Sequence, residues 1–134
     1  MAVTKGLTWT IEDADHMTQA EIYGEILTKI GEQNDKLVAL TADLAGSTKI
    51  GKFQKKFPER FFNVGIAECN MFAIASGMAA AGMVPVVSTF AVFTALRAAE
   101  FVRTDICYQK RNVKIIATHS GTSFGQAGTT HHCT

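Results

Sequence analysis

The sequence lacks the features of several large classes of protein. No apolar run is long enough to span a bilayer, and Glu12, Asp13 and Asp15 stand where a secretory signal has its apolar core. The formal net charge of +1 argues against a nucleic-acid groove, so we expect neither a membrane nor a nucleic acid as partner. No low-complexity tract interrupts the 134 residues, and an apolar share of 47% is typical of one globular domain.

Cysteine is scarce and shows no pairing pattern. Cys69, Cys107 and Cys133 are odd in number and widely spaced, with no CxxC motif. This predicts reduced thiols in a cytoplasmic protein rather than a disulfide framework. His131, His132 and Cys133 have metal-ligand chemistry, but adjacent residues do not easily close a tetrahedral site, so we expect no metal site in this chain.

The apolar pattern alternates between strands and helices. Short apolar runs predict strands at 37–40, 61–64, 84–89 and 113–118. Helices are predicted at 17–32, 68–81 and 91–110, the first opened by the capping box Thr18-x-x-Glu21. The alternation predicts the α/β class, with a three-layer, mostly parallel sheet and helices on both faces.

The two ends of the sequence have no regular pattern. Residues 1–16 are predicted to be an irregular N-terminal segment. The sequence stops directly after the loop of residues 120–130, and no closing helix or strand follows. We therefore expect residues 17–134 to form part of a domain.

Four segments are predicted to meet at one edge of the sheet. Ligands of open parallel sheets bind beyond the carboxyl ends of the strands. The segments that follow predicted strands are 43–47, 65–68, 90–93 and 119–131. Their convergence is the main argument for a functional site. The glycines of the last segment do not form a phosphate-binding loop, because the Gly-Lys-Ser/Thr sequence is missing.

Glu68 is the main candidate for acid/base chemistry. Its sequence neighbours are mostly apolar, and burial favours the neutral form of a carboxyl group. The start of the helix predicted at 68–81 favours the anion instead. A carboxyl group between these two effects can share a proton with a ligand. The alternative is a glutamate that only complements the helix dipole.

Aromatic and imidazole rings accompany Glu68 at the predicted edge. Phe90 and Phe93 follow a strand at a spacing that lets both rings face the same way, as a wall for a flat heterocycle or as core packing. His119 and His131 can donate hydrogen bonds to a substrate hydroxyl or carbonyl, or be satisfied by the backbone. A basic cluster before the second strand is either a solvated face or an anion or partner contact: Lys49, Lys52, Lys55 and Lys56.

Five ordered blocks of the sequence resemble the pyrimidine-binding domain of transketolases. The blocks are residues 43–47, 64–71, 88–93, 117–121 and 125–131. The resemblance covers the chain from about residue 18 to its end. It is nearest to split bacterial transketolases, in which this part begins a separate C-terminal subunit.

The resemblance implies a role for each candidate on the cofactor side. Glu68 takes the place of the family's catalytic glutamate, which bonds N1′ of the aminopyrimidine of thiamine diphosphate and so promotes loss of the proton at the thiazolium C2. Phe90, Phe93 and Leu96 take the places of the residues that hold the pyrimidine. The activity implied is transfer of a two-carbon ketol unit between sugar phosphates, as in the pentose phosphate reactions of carbohydrate metabolism.

The substrate side of the resemblance is less complete. Ser47, His119 and His131 match the family's substrate-binding residues. Ala127 stands where the family commonly has an aspartate, and Ala20 stands where it has an arginine that grips the sugar phosphate. We therefore expect an unusual donor or acceptor to be a real alternative to the ordinary pentose phosphates.

Half of the implied cofactor site is missing from the sequence. The family holds diphosphate and Mg²⁺ through a Gly-Asp-Gly motif on another domain, and this sequence has no such motif. The resemblance implies a diphosphate-binding partner domain or subunit in a homo- or hetero-oligomer, such as a dimer, and little activity without it. Two alternatives remain: a thiamine diphosphate enzyme for 2-oxo acids, like deoxyxylulose phosphate synthase or the 2-oxo acid dehydrogenases, and a non-catalytic assembly module.

Overall fold

Four parallel strands form the central sheet of the computed structural model, which describes residue 16 and residues 18–133. The predicted irregular segment 1–16 thus lies outside the described residues except for its last member. In chain order the strands are β1 (Leu37–Thr41), β2 (Phe61–Asn63), β3 (Val84–Phe90) and β4 (Lys114–Thr118). Their order across the sheet is β2-β1-β3-β4, and every pairing is parallel, as predicted.

Short-range sequence signals mark the start of the first helix and the end of the third. The helices α1 (Gln19–Gln33), α2 (Gly51–Lys56) and α3 (Glu68–Ala80) follow in chain order. The predicted capping box is confirmed, since Thr18 Oγ1 accepts a hydrogen bond from the Glu21 N–H and the Glu21 carboxylate accepts one from the Thr18 N–H. Helix α3 ends before Gly82, whose φ of +89° suits glycine.

The helices cover both faces of the sheet, which confirms the three-layer architecture. On one face, Leu37 and Ala39 of β1 pack with residues of α1 and α2, among them Leu27 and Phe53. The opposite face of β1 packs against α3 and the helical segment that follows β3. All five residues of β1 are buried, since the strand has neighbours on both edges and helices on both faces.

The segment after β3 is not the single regular helix predicted at 91–110. It contains a π-helical turn (Phe93–Arg97), a short α-helical turn (Ala99–Phe101) and a second π-helical stretch (Val102–Tyr108). The Ala98 N–H donates to the Phe93 carbonyl five residues earlier, at 2.9 Å. A π-turn uses one more residue than an α-turn, so the residues after it face a different side of the segment than in a regular helix. Ala98 is fully buried, whereas Ala99 and Leu96 are exposed.

Half of the basic cluster is paired within the domain. Lys52 contacts Glu25 and Lys56 contacts Glu32, both on α1, which supports the interpretation of a solvated face.

Among the described residues, no helix has both the length and the apolar character needed to cross a membrane.

Gly24→Ala is expected to destabilise the fold because α1 lies against the chain at Lys49. A Cβ built on Gly24 would lie 2.1 Å from the Lys49 carbonyl oxygen, and such overpacking costs about 1–3 kcal/mol. Gly77→Ala in α3 is the matched control, because nothing lies within 4 Å of its built Cβ and alanine favours helix. Urea unfolding should give a lower midpoint for the first variant only. A Gly24→Ala midpoint equal to that of the wild type would contradict this packing.

Tyr23 should make stability depend on pH in alkaline solution. Its hydroxyl shares a hydrogen bond with Ser88, and burial raises the pKa of Tyr23 to about 12 against a smaller opposing effect of that bond. An unfolded tyrosine loses its proton near pH 10, so unfolding releases a proton between about pH 10 and 12. The free energy of unfolding should therefore fall as the pH rises through this window. Below about pH 10, the stabilising contribution of Tyr23 should be fully present.

The Tyr23→Phe variant should lose that part of the pH dependence. Urea midpoints measured from about pH 9 to 11.5 should fall less steeply for Tyr23→Phe than for the wild type. Tyr108→Phe is the control, because Tyr108 is 86% exposed and its loss should leave the wild-type slope unchanged. Parallel curves for Tyr23→Phe and wild type would refute this account.

Candidate active site

A cavity of about 170 Å³ opens at the carboxyl ends of the strands. The chain leaves β1 for β2 on one side and returns to β3 on the other, which makes this edge a topological switch point. The cavity is lined by Ala42, Asp43, Leu44, Ile66, Glu68, Phe93, Arg97 and His131. Each of the four predicted segments contributes at least one of these residues, so their convergence is confirmed.

Glu68 is buried at the cavity wall. It is the first residue of α3, and 2% of it is exposed. Arg97 Nη1 donates a hydrogen bond of 3.1 Å to Glu68 Oε2, and the Arg97 side chain is 54% exposed. The arginine and the N-terminus of α3 both place positive charge beside the Glu68 carboxyl group. The sequence indicated the helix but gave no sign of Arg97 as the partner.

Asn63 fixes the two loops that bring Glu68 to the cavity. Its Oδ1 accepts from the N–H groups of Asp43 at 3.0 Å and Gly65 at 3.1 Å, and its Nδ2 donates to Asp43 Oδ1 at 3.1 Å. Gly65 has a φ of +74°, a backbone conformation that suits glycine, and this turn leads from β2 into α3. Asn63, the last residue of β2, thus links the loop after β1 to the loop after β2.

Aromatic rings form a cluster beside the carboxylate. Phe90 is 2% exposed and lies parallel to Phe93, with ring centroids 5.9 Å apart and an interplanar angle of 13°. Phe93 lines the cavity, whereas Phe90 belongs to the packed layer behind it. Phe124, which the sequence did not single out, lies edge-on to Phe90 at 5.4 Å. Phe90 is therefore part of the core packing, whereas Phe93 presents its ring to the cavity.

The two histidines both lie near Phe90 but line different cavities. His131 lines the cavity that contains Glu68, and its ring centroid is 5.4 Å from that of Phe93. His119 lies 4.4 Å from Phe90 and lines a second, open cavity of about 550 Å³ between α1 and β4. His119 has a φ of 56°, and its Nδ1 lies 2.9 Å from Thr118 Oγ1. The cluster of rings separates the two cavities.

Ser47 and Leu96 are not part of the cavity wall. Ser47 is exposed in the loop after β1, and Leu96 is 73% exposed in the π-turn after Phe93. Neither is among the residues that line the cavity. Within the described part of the chain, no group of three or more histidine, cysteine, aspartate or glutamate side chains is arranged to hold a metal ion.

The comparison of sequences points to one family. A family model described as transketolase, pyrimidine binding domain, matches residues 15–134. A putative transketolase C-terminal section from Methanocaldococcus jannaschii is 48% identical over 109 residues, which make up 81% of this chain and 34% of the relative. A 1-deoxy-D-xylulose-5-phosphate synthase from Halothermothrix orenii is 38% identical over 117 residues, or 87% of this chain and 18% of the enzyme.

A solved structure supports the same assignment. A split-gene transketolase, described as an inactive beta4 tetramer, is 52% identical to this chain and superimposes with a TM-score of 0.71. The match covers 84% of this chain and 36% of the other. The chain therefore spans about a third, or less, of the length of these relatives. Because the family model matches nearly the whole chain, the protein belongs to the family of transketolase pyrimidine-binding domains.

Proposed function

We propose that this chain supplies the pyrimidine side of a thiamine diphosphate site in a transketolase that transfers a two-carbon ketol unit between sugar phosphates. The observation that carries the proposal is the buried carboxylate of Glu68, which lines the same cavity as the ring of Phe93. Family membership makes this a transferase-type domain, and the relatives named above include a transketolase section. We retain the prediction that the protein acts in the cytoplasm.

The residues of the cavity fit one half of the cofactor. A carboxyl group in a nearly dry site forms strong hydrogen bonds, and when it is protonated its O–H can donate to a ring nitrogen. Phe93 gives the same cavity a flat apolar surface on which a heterocycle can stack. These are the two contacts that an aminopyrimidine needs. The groups that bind diphosphate and Mg²⁺ would belong to a partner domain or subunit, as the family resemblance implies.

The chain's own side chains would bind, orient and hold a proton. The carboxyl group of Glu68 would hold a proton and donate it to the ring nitrogen, while burial excludes water that would compete for this hydrogen bond. Phe93, backed by Phe90, would fix the plane of the ring. His131 and His119 would donate hydrogen bonds to substrate hydroxyls, with Ser47 as a phosphate contact. When bound, the cofactor supplies the carbanion chemistry that breaks and forms the carbon–carbon bond.

A 2-oxo acid reaction is the second candidate. The similarity to a 1-deoxy-D-xylulose-5-phosphate synthase, at 38% identity over 117 residues, favours it. The two histidines favour sugars instead, because hydroxyl-rich substrates need such donors. Ketose phosphates and 2-oxo acids offered to the chain with its diphosphate-binding partner would separate the two activities. If that complex binds no thiamine diphosphate with Mg²⁺, a non-catalytic assembly module remains.

Glu68→Gln is expected to remove most of the ketol transfer by the chain and its partner. The amide keeps the shape of the side chain but cannot exchange a proton, and such groups contribute about 10²–10⁴-fold to rate. Glu100→Gln is the matched control, since Glu100 lies 61% exposed in a surface pair with Arg103. Turnover of sugar phosphates would be measured for both variants. Wild-type turnover in Glu68→Gln would rule out the role assigned to Glu68.

A further inference from the structure

We propose that Arg97 is a displaceable plug of the cofactor site. Its guanidinium contacts both Glu68 and Phe93, the two residues that the pyrimidine ring would contact. The inference rests on the proposed function and adds a step to it. Binding of the cofactor would have to move the arginine away from Glu68 and from Phe93, so that Arg97 sets how tightly and how fast the cofactor binds.

A single side chain makes both contacts. Arg97 Nη1 lies 3.1 Å from Oε2 of Glu68, and Arg97 Cζ lies 5.2 Å from the centroid of the Phe93 ring. The second distance is that of a cation–π contact. Arg97 also lines the cavity that contains these two residues. A flat ring that bonds the carboxylate and stacks on Phe93 from inside the cavity therefore competes with the guanidinium for both positions.

The backbone holds Arg97 in place while its side chain remains able to move. Arg97 is the last residue of the first π-turn, and its carbonyl accepts a hydrogen bond of 3.4 Å from Cys69 Sγ, next to Glu68. The side chain is 54% exposed, so the guanidinium can move into water without a change of the backbone. Its release costs the ion pair and the ring contact and little else.

The charge of Glu68 explains why a plug is needed. Asp43 and His131 are the other titratable residues of the cavity wall, and in the described part of the chain Glu68 has an ion pair only with Arg97. A buried carboxylate without a partner is costly, so Arg97 stabilises the empty site. When Glu68 holds a proton and donates it to a ring nitrogen, it no longer carries the charge that Arg97 balances. Loss of Arg97 would raise the energy of the empty site more than that of the occupied one.

A purely structural role for the ion pair of Arg97 with Glu68 predicts a different effect of removing Arg97 on cofactor affinity. If Arg97 stays in place and orients Glu68 toward the ring, its removal would weaken cofactor binding or leave it unchanged. If Arg97 is a plug, its removal strengthens binding. The sign of the change in affinity therefore separates the two roles, without any measurement of turnover.

The test compares Arg97→Met with Arg103→Met in the complex of the chain with its diphosphate-binding partner. Met keeps the length of the side chain and lacks the charge. Arg103 pairs with Glu100 on the surface, so its variant controls for the loss of one exposed arginine. Thiamine diphosphate with Mg²⁺ is the probe, titrated by calorimetry for Kd and mixed by stopped flow for the association rate.

For Arg97→Met we expect a Kd about tenfold lower, equivalent to ~1.4 kcal/mol, and faster association. The variant without cofactor should melt at a lower temperature and recover more than the wild type when cofactor is added. Arg103→Met should match the wild type. Arg97→Lys keeps the positive charge without the planar fork, so its Kd should fall between the two; it carries the test if the Met variant does not fold.

Two failures can be told apart. A wild-type complex that binds no thiamine diphosphate would overturn the proposed function and this inference with it. A wild-type complex that binds, combined with an Arg97→Met or Arg97→Lys variant that binds equally well or more weakly, would overturn the plug alone. It would leave the role of the Glu68 carboxylate intact.

Discussion

Burial of one carboxylate is the constraint around which the site is built. Glu68 is 2% exposed, and an anion in such a place must be compensated by dipoles, donors or an opposite charge. The first turn of α3 supplies the dipole, and Arg97 supplies the charge from the segment after β3. The architecture therefore has to bring two distant parts of the chain to one point, which the parallel sheet does.

The order of the strands determines where on the sheet the candidate site lies. β1 lies between β2 and β3, so the loops after these three strands open at the switch point and surround one cavity. Asn63 then links the ends of β1 and β2 by hydrogen bonds to Asp43 and Gly65. Rigid strands and linked loops together hold a carboxylate and an aromatic ring on one wall, which is the arrangement that precise binding of a small ring requires.

Local patterns in the sequence predicted the elements and most of the cavity wall, whereas contacts between distant residues escaped them. The capping box of α1, the buried run of β1 and the start of α3 at Glu68 depend on neighbours along the chain. The ion pair of Glu68 with Arg97 joins residues 29 apart, and no spacing rule predicts it. The π-turns were missed because they break the 3.6-residue period on which the predicted helix relied. The placement of Leu96 in solvent follows from the same break.

The first π-turn (Phe93–Arg97) contains one residue more than a regular helical turn, and this extra residue affects which side chain reaches the cavity. One residue corresponds to about 100° of rotation around a regular helix. Removal of one residue between Phe93 and Ala98 would replace the hydrogen bond between residues five apart with one between residues four apart, as in a regular helix. The one extra residue of this turn thus helps to set which side chain the segment after β3 presents to Glu68.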